Sequence, residues 1–314
     1  MRTTGRYFPL TILPMHIDNS RVYNPYIHLQ RSKSQRQREP IMKNTILISL
    51  SLVAALLSGC ATTTAPGVSG VERKQFMMLS EAQVVSMSKE SYLATLQEAS
   101  KKKTLNTNAA QVKRVRDISR KLIRQTSHFR KDALNWQWEV NVEQNDQVNA
   151  YCMPGGKIMV YTGLIDKLKA TDDELAAVIG HEIAHALREH GRERMSIAYA
   201  QQAGLLGLAV LAGSSKNQNA AAIGVQAAAL GSTLFFALPN SREQEREADR
   251  IGLELSARAG YNPNAAVSLW QKMGQQGGSA PPEFLSTHPS NQNRINELKG
   301  MIPAVMPLYQ NARK

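Results

Sequence analysis

The five residues His181-Glu182-Ile183-Ala184-His185 constrain this chain more than any other stretch of it. In a helix, residues four apart lie one turn apart on a shared face, so both imidazoles can reach a single ion. The surrounding segment is helical by pattern. Thr171 stands as an N-cap with Glu174 three residues on, and the run is expected to continue to about Arg194. Glu182 lies beside the ligand face, close enough to reach water at the ion without binding the ion itself. A zinc ion used for hydrolysis takes three protein ligands and leaves one position open. The fold must therefore bring a third donor from a second element against this helix.

An extension of the motif along the same helix would require Gly at 188 and His at 191, but the chain has Arg188 and Gly191. On a continuous helix His190 stands roughly 140° round from His185, facing away from the ion as a structural or surface histidine. The better source is Glu245-Arg246-Glu247-Ala248-Asp249. Glu245 and Asp249 share a helical face, whereas Glu247 points elsewhere. One of the two carboxylates can bind the ion while the other accepts the outer N–H of a ligand histidine and fixes its tautomer.

The N-terminus reads as processing sequence. Residues 1–41 are polar and Arg-rich and are expected to be an over-extended start. From Met42 a short basic opening, an apolar run from Thr45 to Leu57 and small residues before Cys60 describe a secretory signal over 42–59. Leu57-Ser58-Gly59-Cys60 resembles the bacterial lipobox, which makes Cys60 the lipidated N-terminus and, with Ala61 behind it, implies the periplasmic face of the outer membrane. Residues 60–73 are expected to be a tether and 74–314 the catalytic domain. The chain has 38 basic and 25 acidic side chains among 314 residues, and residues 1–41 hold seven of the former and two of the latter. The excess left for the body suits an anionic membrane surface, and no motif supports a nucleic-acid partner.

Two helices are expected between Ser80 and Gln125, broken at 101–108, the second with a basic outer face. Trp136 to Val142 alternates as a strand, and Asn149 to Tyr161 is a strand–turn–strand around Pro154-Gly155-Gly156. Its edge could align a substrate main chain through Asn149 and Ala150. Residues 197–238, rich in Ala, Gly and Leu, are expected to be helices over a cleft and not a membrane hairpin. Gly274–Pro282 is expected to be a flexible loop. Cys152 reads as a buried small hydrophobe.

Gly180 through His185, Glu245 through Asp249, Val148-Asn149-Ala150, Pro154-Gly155-Gly156, Gly260-Tyr261-Asn262-Pro263 and His288-Pro289 with Arg294 together resemble the HtpX/CAAX-prenyl-protease-type zinc metalloendopeptidases, in particular their periplasmic lipoprotein branch. The resemblance implies an α+β, predominantly helical, gluzincin-type domain with a small sheet and a zinc-binding helix. It assigns one zinc per chain to His181, His185 and Glu245, leaves Asp249 behind a ligand histidine, and makes Glu182 the general base. It places His288 near the ion, either as a plug or in contact with the transition state; Arg294 is a further candidate for the oxyanion. The implied substrates are misfolded or unassembled cell-envelope proteins. The alternative is an envelope assembly or chaperone-like factor whose zinc site stays closed.

Overall fold

A computed structural model describes residues 60–211, 239–275, 283–288 and 292–314. By packing, the chain divides into Met1–Ala55 and Leu56–Lys314, and every described residue lies in the second unit. The fold is mostly helical with a small mixed sheet.

Two capped helices open the body. Helix α1 (Glu81–Lys101) starts at a capping box in which Ser80 and Gln83 satisfy each other's backbone N–H groups. Helix α2 (Ala109–Ile123) starts at Asn108, whose side chain accepts from Ala110 and Gln111. It buries Val112, Val115, Ile118 and Leu122, while on its basic face Lys113 and Arg120 pair with Asp117. The sheet follows: β3 (Glu139–Glu143), β4 (Ala150–Met153) and β5 (Lys157–Tyr161), in the order β3-β5-β4. Strand β5 pairs parallel with β3 and antiparallel with β4, leaving β4 at one edge. The turn between β4 and β5 needs Gly155 and Gly156, with φ of 80° and 83°.

After the short helix α3 (Thr162–Asp166) comes α4 (Asp172–Leu187), which carries the His-Glu-x-x-His motif and is buried along nearly its whole length. It begins at the expected capping box of Thr171 and Glu174. Helix α5 (His190–Leu211) follows at once, then α6 (Arg242–Arg258), α7 (Asn264–Gln275), α8 (Glu283–Thr287) and α9 (Gln292–Ala312). Helices α4 and α6 cross at two glycines. A Cβ on Gly252 would lie 2.7 Å from the backbone nitrogen of His181, and one on Gly180 would lie 2.9 Å from the carbonyl oxygen of Gly252. This contact brings the carboxylates of α6 within reach of the histidines of α4.

Two expectations are corrected here. The helix expected from Thr171 to Arg194 is two helices, because Glu189 adopts a left-handed φ of 51° and turns the chain. Residues 60–73, expected as a tether, pack on the body. Thr64, Ser69 and Val71 are buried, the Ser69 N–H donates to Glu254, and β1 (Cys60–Ala61) pairs antiparallel with β2 (Gln75–Phe76). Most of the Gly274–Pro282 loop, and 197–238 beyond residue 211, lie outside the described residues.

Glu174 anchors the start of the motif helix. Its carboxylate accepts from the Thr171 N–H, the Ser268 hydroxyl and Lys272 at 2.7–2.9 Å. Burial raises its pKa, but those three partners outweigh burial and hold it below the usual glutamate value. A folded-state pKa below the unfolded one stabilises at pH values above the ordinary glutamate range and loses that stabilisation as pH falls through it. Glu174→Gln is therefore expected to lose about 1–2 kcal/mol at neutral pH, by denaturant unfolding. The gap to wild type should narrow by about pH 3; an equal gap at both pH values would show that the charge contributes nothing.

Candidate active site

The structure brings His181 and His185 of α4, Glu245 of α6 and His288, the residue after α8, to one point. One donor atom from each lies within 4.8 Å of all the others, and all four residues are buried. The Nε2 atoms of His181 and His185 are 3.0 Å apart. Glu245 Oε2 lies 3.4 Å from His181 Nε2, and its Oε1 lies 3.3 Å from His185 Nε2 and 2.9 Å from His288 Nδ1.

Each histidine of α4 is oriented from behind. Asp249 Oδ1 lies 3.0 Å from His181 Nδ1, and Arg294 clamps Asp249 with two 2.7 Å bonds while reaching Glu245 Oε2 at 2.8 Å. The Arg294 guanidinium also sits 4.0 Å over the Trp270 ring. Arg294 thus braces the acidic side chains from their far side. It does not line the cleft as an oxyanion group would. His185 is backed by His190, whose Nδ1 is 2.8 Å from His185 Nδ1, and His190 Nε2 is 2.9 Å from Glu247 Oε2. The sequence reading turned His190 away because it assumed one continuous helix; the break at Glu189 swings the ring back onto His185. Glu247 does point away from the four-residue cluster, and it ends at this ring.

These contacts set the tautomers. Asp249 Oδ1, 3.0 Å from His181 Nδ1, favours the proton on that nitrogen, which leaves the Nε2 lone pair facing the cluster. Glu247 can only accept, so His190 carries its proton on Nε2, accepts at Nδ1 and obliges His185 to donate from Nδ1. Two lone pairs and a buried carboxylate then converge, an arrangement that calls for a cation. The electrostatics agree: burial opposes a charge on His181, yet Asp249 and Glu245 outweigh burial and lift its pKa to about 9. Burial works against the Glu245 carboxylate too, but the facing histidines hold its pKa well below the usual range. Three imidazoles and one carboxylate in a buried site fit zinc.

Glu182 is adjacent in sequence but stands apart from the four donors. It lines the cleft, and its pKa is raised chiefly by burial, with His288, His181 and the Cys152 backbone N–H acting in the opposite direction. Its Oε1 lies 3.6 Å from His288 Nε2. The cleft is also lined by Asn149 to Cys152, Ala186, Gly191, Arg194, Asn240 and Thr287. Along β4, the Asn149 carbonyl accepts from Tyr161 and the Met153 carbonyl from Gly156, so those residues face β5. By alternation the main-chain groups of Ala150 and Cys152 face the cleft. The Asn149 main chain therefore points inward, and its side chain accepts from the Ala150 N–H at 2.9 Å.

Arg194 and Asn240 were not foreseen. Both are brought to the cleft by chain ends, α5 just after the Glu189 break and the residue before the Ser241 cap, and neither position carries a local sequence signal. The Arg194 guanidinium donates to Asn240, and burial lowers its pKa to about 10. Asn240 in turn holds the His288 segment, donating from its backbone to the Thr287 carbonyl and lying 3.2 Å from His288 Nδ1 through Nδ2.

Residues 109–302 match the model of peptidase family M48. The chain belongs to this family. The four residues that could hold a metal ion, His181, His185, Glu245 and His288, all lie inside the matched region. It is 41% identical over 159 residues to the mitochondrial metalloendopeptidase OMA1 of Arabidopsis thaliana, covering 50% of this chain and 30% of that protein. It is 28% identical over 266 residues to the metalloprotease LoiP of Escherichia coli, covering 84% of this chain and 98% of that one. A beta-barrel assembly-enhancing protease of Yersinia pestis is 32% identical over 170 residues, 52% of this chain and 34% of its own length. The chain spans only about a third to a half of the length of the mitochondrial relatives. The mitochondrial likeness was not part of the sequence reading.

Proposed function

We propose that this chain is a zinc-dependent endopeptidase with one zinc per chain on His181, His185 and Glu245, held closed at rest by His288. The observation that carries the reading is His288 beside the cluster as a fourth donor, where a hydrolase needs an open position. Zinc bound there would supply a positive charge that acidifies water and polarises a carbonyl. Glu182, off the donor set and beside it, takes a proton from the attacking water and returns it to the leaving amine. Its raised pKa suits both transfers. Arg194, which lines the cleft and donates to Asn240, would place a positive charge near the developing oxyanion. The outward main chain of Ala150 and Cys152 lets an extended substrate add to the sheet without its sequence being read. Phe284 of α8 already uses this edge, donating its N–H to the Val148 carbonyl.

The substrates are misfolded or unassembled cell-envelope proteins, and the protein is anchored through a lipid on Cys60 at the periplasmic face of the outer membrane. The lipobox-like sequence, and the likeness to LoiP over most of both chains, support this placement. No helix among the described residues is long and apolar enough to cross a membrane. A Cys60→Ala protein that still fractionates with membranes would remove the lipid anchor.

Digestion of an unfolded protein such as casein tests the activity. Cleavage should vanish with a chelator and return with zinc. His288→Ala should retain zinc and cleave faster if the imidazole is a plug, or fall roughly 100-fold if it holds the oxyanion. The closed site also favours a second reading, an assembly factor that binds envelope proteins and rarely cuts them. Capture of unfolded protein by His288→Ala with no cleavage at all would favour it.

A further inference from the structure

The segment that follows Cys60 is joined to the metal cluster by an unbroken chain of polar contacts. Arg73 lies just before β2. It donates from Nε to Glu247 Oε1 at 2.7 Å, and its NH1 and NH2 hold both oxygens of Glu193. Arg188, fully buried, also donates to Glu247 Oε2, at 3.1 and 3.2 Å. The same segment holds Arg188 in place: Thr62 and Thr64 accept from its NH1, the Arg73 carbonyl accepts from its NH2, and Gln75 donates to its carbonyl. Glu247, gripped by two guanidiniums, accepts from His190, and His190 accepts from His185.

We propose that Arg73 is a positioning residue of the metal site, acting on His185 through Glu247 and His190, so that docking of residues 62–75 sets the affinity for the metal. Geometry carries the inference. Glu247 must keep an oxygen aimed at His190 Nε2 as an acceptor, because only then does His190 present a lone pair to His185 Nδ1 and leave His185 Nε2 free for the ion. Arg188 alone reaches only one of the two carboxylate oxygens. Arg73 fixes the other, and its removal lets the carboxylate turn away from the ring. A guanidinium fork suits this task, since it holds a carboxylate in one plane. Asp249 with Arg294 does for His181 what Glu247 with Arg73 and Arg188 does for His185. The difference is that one of the two cations on the His185 side, Arg73, comes from the N-terminal segment and not from the helices that carry the ligands.

The inference rests on the metal-site reading above, and zinc affinity, measured by chelator competition on the folded protein, tests it without reference to activity. Wild type that binds no zinc would overturn the metal site itself, whatever the variants do. With wild type binding one zinc, His190→Ala should weaken it roughly 10- to 100-fold, the range seen for groups behind a ligand histidine. Arg73→Ala should weaken it about tenfold. Arg73→Lys, which keeps the charge but not the fork, should recover part of that loss and serves as the reading if Arg73→Ala does not fold. The Arg73→Ala, His190→Ala double variant should bind zinc as His190→Ala alone does, because both changes cut one chain. Wild-type zinc affinity in Arg73→Ala, with only the melting temperature lowered, would overturn the proposal. So would losses that multiply in the double variant.

Discussion

Glu182→Gln is expected to keep its fold and its zinc and to lose proteolysis by roughly 10³-fold or more. The substitution is nearly isosteric. It exchanges an acceptor for an amide that cannot take a proton from water or pass one to the leaving amine. The fold should tolerate the change, because Glu182 makes few contacts: its Oε1 has no hydrogen-bond partner among the described residues. Such an orphaned oxygen, 4% exposed in residue terms, marks a group kept for a reactant and not for packing. The measurement is kcat/KM on an unfolded substrate alongside zinc content. Equal activity of the variant and wild type would end the enzymatic assignment.

Glu245→Gln should show the opposite split, with zinc lost and the helices retained. Glu245 is fully buried, and its two oxygens lie 2.9–3.4 Å from three imidazoles. The amide removes the only negative charge in the donor set and points an N–H at histidine lone pairs or at the Arg294 guanidinium. Zinc affinity should fall by more than about 100-fold, exceeding the loss for a group one step removed such as Asp249→Ala. Full zinc occupancy in Glu245→Gln would move the third ligand elsewhere. Asp249 is poorly placed to take over, because both of its oxygens are held by Arg294 on the far side of His181.

The parts of this site governed by local periodicity were legible in the sequence. The spacing of His181 and His185, the shared face of Glu245 and Asp249, and the capping box at Thr171 depend on residues within one turn of each other. The family match and the clustering of these residues bear out a mostly helical zincin domain. What was missed depends on how one element meets the next. The break falls on Glu189, a residue that does not favour positive φ, and not on Gly191 two places on, and it decides whether His190 faces away or toward His185. Arg194 and Asn240 reach the cleft through tertiary packing with no periodic signature. The packing of residues 62–73 was hidden by composition: Thr, Gly and Ser suit a loose linker and equally suit a segment whose hydroxyls hold a buried arginine. Arg294 is one candidate for the oxyanion by sequence because a cation near an active site has several uses, and only coordinates distinguish the front of a carboxylate from its back.

The alternation along β4 limits how a bound chain could slide. Val148, Ala150 and Cys152 turn their main-chain groups away from β5, and the residues between them do not. On that outward side Phe284 already meets the Val148 carbonyl and the Asn149 side chain meets the Ala150 N–H. A peptide lying on this edge repeats its donors and acceptors every two residues, about 6.8 Å. It can therefore shift only by that step, because a shift of one residue would face N–H to N–H and carry its side chains to the wrong surface. Minor cuts in a substrate would then fall an even number of residues from the main one, leaving fragments that differ in length by pairs. The enzyme would measure distance along a chain without recognising what the chain says.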